Sequence, residues 1–135
     1  MIADNGTVVA SIGRDPYKTE LTSGTHTLLA DEPTGNGGTD SGPMPGDFMR
    51  MALASCTAIT LRMYADRKKM DVERIDVTVN SARLEYKTVF KCEVSIVGNI
   101  TEEQRARLEE IAHKCPVHMV LANPIEVETI VHKPS

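Results

Sequence analysis

Three cysteines and four histidines carry most of the chemistry that this sequence offers. Cys56 lies in an apolar stretch, Cys92 in a strand-like run between Lys91 and Glu93, and Cys115 directly before Pro116. Free cysteine is among the most buried residue types, so packing alone accounts for Cys56 when only residue type is considered. Cys115 has a more specific setting. Proline suits the first turn of a helix, which puts Cys115 at a helix N-terminus, where unpaired amides and the dipole lower a thiol's pKa. His113 and Lys114 add positive potential; packing is the other reading of Cys115. Two thiols that meet in space can cycle between dithiol and disulfide, but the sequence separation of positions 56 and 115 says nothing about their distance. Strand alternation puts Cys92 on one face with Val94 and Ile96, a structural role.

The histidines are His26, His113, His118 and His132. Cys115, His118 and Cys56 have the chemistry of a zinc set, yet the paired Cys-x-x-Cys spacing that marks such sites is missing, and no metal is expected. No dinucleotide fingerprint, phosphate loop, zinc-protease helix or serine nucleophile elbow occurs.

The elements that must position these thiols follow from periodicity and turn chemistry. Short strands are expected within 6–22, around a turn at Gly13-Arg14-Asp15-Pro16, and at 25–30 after Ser23-Gly24. Residues 31–45 form a long Gly- and Pro-rich loop, the kind that is functional or disordered. The strongest helix is 48–67, where Phe48, Met51, Ala52, Ser55, Ile59 and Met63 recur at spacings of three and four. Leu53, Ala54, Ala58 and Leu61 occupy its other faces, so it is expected to be buried on most sides, by a sheet and a second subunit. Asp47 is a cap or first-turn carboxylate. A strand at 72–79, a hairpin of 82–88 with 90–97, a helix from the capping box Thr101-Glu102-Glu103-Gln104 to about 114, a short helix at 117–122 and a last strand at 125–132 complete the chain. Strands, buried helix, strands, helix pair, strand: this order predicts an α+β domain with mostly antiparallel sheet, residues 1–135 as one domain.

Length and composition agree with one core, built without Trp from Ala, Val, Leu, Ile and seven Met. A net charge of −4 argues against nucleic acid as a partner. Residues 1–10 lack the features of a secretory leader, and no apolar run approaches membrane-spanning length, so a soluble cytoplasmic protein without a membrane partner is expected. Three cysteines in a reducing compartment do not suggest a disulfide framework.

Read together, several segments resemble a known family. Asp31-Glu32-Pro33, Gly37-Gly38 and Gly42-Pro43-Met44-Pro45 lead into Ala52-Leu53-Ala54-Ser55-Cys56-Thr57-Ala58-Ile59-Thr60-Leu61-Arg62-Met63-Tyr64-Ala65. Gln104-Arg105, Leu108, Ile111-Ala112 and Lys114-Cys115-Pro116-Val117-His118 follow. In this order and separation they resemble the osmotically inducible protein C (OsmC) and organic hydroperoxide resistance (Ohr) proteins, over nearly the whole chain from about residue 13. The similar branch is the generic one with the Cys-Thr-Ala-x-Thr-Leu-Arg-Met-Tyr-Ala helix.

The resemblance implies an intertwined homodimer, with two mostly antiparallel sheets around long central helices and active sites at the dimer interface. It implies a thiol-dependent peroxidase that reduces organic hydroperoxides to alcohols. Cys56 would attack the peroxide and become a sulfenic acid, Cys115 would resolve it as a disulfide, and a dithiol reductant, of lipoyl type in one branch, would restore both thiols. No metal, flavin or other cofactor is implied. The family's arginine falls on Arg14 and its carboxylate on Asp47, the arginine polarising the peroxide and the carboxylate orienting the arginine. Here the carboxylate is Asp instead of Glu, one methylene shorter, and Arg50 is an extra charge able to replace or pair with one of these groups. A solvated turn arginine is the other reading of Arg14. Two rival functions stand beside the peroxidase: a redox-sensing dimer that keeps the thiols without turnover, and a module that binds or hydrolyses a small molecule in an apolar pocket.

Overall fold

The computed structural model describes residues 6–134; Ser135 and the first five residues of the stretch considered for a leader lie outside it. The chain is α+β, with two antiparallel sheets and three α-helices among the described residues. It divides into two compact units, each discontinuous in sequence. One runs to Ala54 and takes in Val79–Cys92; the other comprises Ser55–Thr78 and the residues from Glu93 onward.

In the first unit, β1 (Val8–Ser11), β2 (Thr19–Ser23) and β3 (His26–Ala30) form an antiparallel sheet in that order. Val8 lies opposite Ser23, and Thr19 opposite Ala30. Only Gly24 and Thr25 join β2 to β3. Gly24 has a positive φ of 59° and Thr25 does not, the pattern of a type II′ turn that needs glycine first. The loop at 31–45, expected to be functional or disordered, is a fastened strap containing a short 3-10 turn at Thr34–Asn36. The buried carboxylate of Asp31 accepts from the amides of Tyr17, Glu32, Thr39 and Ser41 at 2.7–3.3 Å and from the Thr39 hydroxyl at 2.7 Å. Gly42 runs so close to the Leu29 carbonyl that any side chain there would collide with it. The glycines thus serve close packing of backbone on backbone.

Helix α1 (Pro45–Arg67) opens with proline at its first position, and the Met44 amide donates to Asp47 Oδ2 at 3.1 Å, one half of a capping box. Its far end is a Schellman turn. The Met70 amide donates to the Ala65 carbonyl at 2.8 Å and the Lys69 amide to that of Asp66 at 3.1 Å, with Lys69 at φ 55°. Leu53, Thr57, Leu61 and Ala65 are buried, one every four residues. The predicted period is therefore right, and of the two apolar rows it is Met51, Ser55, Ile59 and Met63 that lie on an exposed stripe. Within this chain the helix buries one face, not most of its sides.

The strand and separate hairpin expected between 72 and 97 are one long hairpin, β4 (Asp71–Arg83) with β5 (Thr88–Asn99), closed by a Leu84 amide bond to the Lys87 carbonyl at 2.8 Å. Asn80 and Ser81 look like a break in sequence, but pairing with β5 overrides their weak strand preference. Ile75, Val77 and Val79 alternate with exposed neighbours as predicted. In the second unit, Leu61, Tyr64, Ala65, Val72, Leu108 and Ile111 form the core. Helix α2 (Glu102–Ala112) has its full capping box, with Gln104 N–H to Thr101 Oγ1 and Thr101 N–H to Gln104 Oε1 both at 3.0 Å. Helix α3 (Pro116–Leu121) follows, capped by Cys115. The strand expected at 125–132 does not form: residues 124–134 take no helix or strand and leave Ile125, Val127, Ile130 and Val131 exposed. A strand exists only by pairing, and among the described residues this segment joins neither sheet. No helix of the described residues is long and apolar enough to cross a membrane.

Candidate active site

Cys56 and Cys115 both belong to the second unit, and the fold brings their thiols into hydrogen-bonding contact. Neither is in a disulfide. They differ in depth: Cys115 is 0% exposed, whereas Cys56 is half-buried.

Proline at the first position of α3 has no N–H to offer, so the next amides are the available donors. The His118 amide donates to Cys115 Sγ at 3.3 Å, and Cys115, with extended backbone, is the N-cap. The Val117 amide donates to the Cys56 sulfur. Two successive amides of one turn thus each hold one thiol. Thr57 Oγ1 lies 3.7 Å from Cys115 Sγ, within the reach of a hydrogen bond to sulfur, and the Thr60 hydroxyl bonds to Cys56. Helical spacing explains the division. Thr60, four residues on, shares the face of Cys56, while Thr57 projects inward beside Cys115.

Burial pushes the Cys56 thiol above its ordinary pKa, and the neighbouring Cys115 thiol adds to that. The Val117 amide and the Thr60 hydroxyl act in the other direction without prevailing.

The charged candidates lie in the first unit. Asp47 accepts from Arg50 Nη2 at 2.7 Å, and Arg50 Nη1 donates to Ser81 Oγ at 2.9 Å. The Arg50 bond, with the Met44 amide after it, lowers the Asp47 pKa. Pro43, Asp47, Arg50, Met51, Ala54 and Val79 line an open groove of about 360 Å³. Arg14 lies on an exposed bend, and the guanidinium that engages Asp47 is that of Arg50. Cys92 is exposed on β5. His113 and His118 meet edge to face at 5.3 Å. Among the described residues, no three His, Cys, Asp or Glu side chains cluster in a way that could hold a metal ion.

Sequence reasoning did not single out Thr57, Thr60 or Asp31. For the threonines the usable signal was spacing, a hydroxyl at one and four residues beyond a helical cysteine. For Asp31 it was an acidic residue opening a Gly-, Thr- and Ser-rich loop, where a carboxylate can gather several amides.

The family model described as OsmC-like protein matches residues 38–130. Among solved structures, an OsmC-like protein from Mycoplasma pneumoniae is similar with a TM-score of 0.76 at 16% identity, over 90% of this chain and 89% of that one. An organic hydroperoxide resistance protein OsmC from Legionella pneumophila gives 0.65 at 20% identity, over 89% and 90%. An organic hydroperoxide resistance protein from Elizabethkingia anophelis gives 0.64 at 21% identity, over 88% and 89%. No curated protein sequence matches.

Proposed function

The chain belongs to the OsmC-like protein family, and from that premise we propose that it is a thiol peroxidase reducing organic hydroperoxides. The observation that carries this reading is the stacking in depth of two touching thiols, Cys56 half-buried and Cys115 fully enclosed. A substrate arriving from solvent meets Cys56 first. The Cys56 thiolate attacks the outer peroxide oxygen, the O–O bond breaks, and the alkoxide leaves as an alcohol after taking a proton. Cys56 is then a sulfenic acid. Cys115 attacks that sulfur, the S–S bond forms, the S–O bond breaks, and water leaves. The dithiol has lost two electrons and the peroxide has gained them. A dithiol reductant, of lipoyl type by family resemblance, returns the pair to thiols by exchange.

Arg14 and Asp47 enter this proposal on the family resemblance alone, as the groups that polarise the peroxide and orient the guanidinium. A homodimer in the cytoplasm completes it. The exposed stripe of Met51, Ile59 and Met63 supports the dimer, since apolar surface along a long helix marks an association face.

One observation favours a dimer that keeps the thiols without turnover: burial holds the Cys56 thiol above its ordinary pKa, so little of the attacking thiolate is present at neutral pH. Consumption of cumene hydroperoxide by the reduced protein separates the readings. A peroxidase gives rapid loss that Cys56→Ser abolishes and that exceeds the rate with hydrogen peroxide. No loss, from a folded protein with free thiols, leaves the sensor.

A further inference from the structure

We infer that Thr57 is a positioning residue for the second thiol: its hydroxyl holds Cys115 Sγ in the orientation from which that sulfur attacks Cys56. The inference rests on the thiol-pair reading above and adds a residue to it.

Thr57 is 1% exposed and stands on α1 immediately after Cys56. Its hydroxyl lies 3.7 Å from Cys115 Sγ. A buried hydroxyl is costly to place in a core unless hydrogen-bonded, so a valine of the same shape would be the better packing choice if packing were its only task. Beside the Cys56 thiol itself, Cys115 Sγ meets the His118 amide at 3.3 Å, which comes from its own turn and fixes the sulfur relative to α3 alone. Thr57, 58 positions away in sequence, instead ties that sulfur to the helix that carries Cys56. Closing a disulfide needs the attacking sulfur in line with the bond it breaks. A side chain free to rotate spends little time there, and holding it raises the intramolecular rate.

The closing step can be measured without peroxide. In a Cys92→Ser background, 5,5′-dithiobis(2-nitrobenzoate) first forms a mixed disulfide on Cys56, releasing one thionitrobenzoate. Cys115 then attacks the Cys56 sulfur, the protein disulfide forms, the mixed S–S bond breaks, and a second thionitrobenzoate leaves. Thr57→Val is expected to slow the second release about tenfold with the first unchanged, and Thr57→Ser, which restores the hydroxyl, to stay within about threefold of the parent. Two results overturn the inference: second release at the parent rate in Thr57→Val, or Thr57→Ser slowed as much as Thr57→Val. Thermal melting of both variants shows whether they are folded, and if Thr57→Val is not, Thr57→Ala takes its place under the same criteria. A protein inert to hydroperoxides but biphasic with this reagent would refute the peroxidase and leave the role of Thr57 intact.

Discussion

At the scale of single residues, the thiol pair sets a conflict that pH exposes. Cys56 is raised above its ordinary pKa chiefly by burial. Only the thiolate reacts, so its alkylation by iodoacetamide is expected to climb about tenfold per pH unit from neutrality and to keep rising beyond pH 9. A plateau below pH 8 in a Cys92→Ser protein would refute this. Asp31 shows the opposite sign. The Thr39 hydroxyl, and with it the amides of Ser41, Glu32 and Tyr17, hold its carboxyl well below the ordinary value of 3.8. A carboxylate with a depressed folded-state pKa contributes stability that is present above about pH 4 and is lost as pH falls toward its folded value. Asp31→Ala removes the bonds at any pH. The strap at 31–45 is then expected to exchange its amide hydrogens faster, measured by mass spectrometry, with the protection of α2 unchanged.

At the scale of elements, helix ends are where sequence and conformation disagree most plainly. Lys69 adopts the left-handed conformation that the Schellman turn after α1 requires, a conformation that glycine enters without steric cost. Lys69→Gly is therefore expected to stabilise the protein by about 0.5–1 kcal/mol in urea unfolding, opposite to the usual effect of glycine. The start of α2 is already optimal, with reciprocal Thr101 and Gln104 bonds. Thr101→Ala should cost about 1 kcal/mol in the same measurement. In the core of the second unit Leu108 is completely enclosed, and Leu108→Ala should cost about 2–5 kcal/mol, depending on how far the neighbours close the cavity.

At the scale of the whole molecule, the exposed apolar residues call for cover. Ile59 and Met63 are 54% and 66% exposed on α1, and the unpaired segment after α3 shows Val127 and Val131 to solvent. Isolated exposed apolar residues need no explanation, but a stripe along a 23-residue helix does. The proposed homodimer covers it. Sedimentation equilibrium is expected to give twice the chain mass of 14.8 kDa, and Ile59→Asp to shift the population toward the single chain. A single-chain mass for the parent protein at high concentration would remove the dimer from the proposal.

The sequence by itself determined the local elements and the chemistry on offer. Capping residues, a proline after Cys115 and helical period made α1, α2 and α3 legible, because those signals act within a few residues. Gly24 marked its turn for the same reason. The order of strands and helices gave the α+β class, and the two cysteine segments, in their order and separation, carried the family resemblance. Only tertiary structure decided which face of α1 is buried, because Leu53–Leu61 and Met51–Met63 stripes have the same period and comparable hydrophobicity. It also decided that Asn80 and Ser81 stay within one long strand, that 125–132 joins neither sheet among the described residues, and that Asp31 gathers its loop. Above all it brought Cys115 beneath Cys56 and Thr57 beside it. Contacts between residues 58 positions apart depend on how helices and sheet pack, and no local pattern encodes that distance.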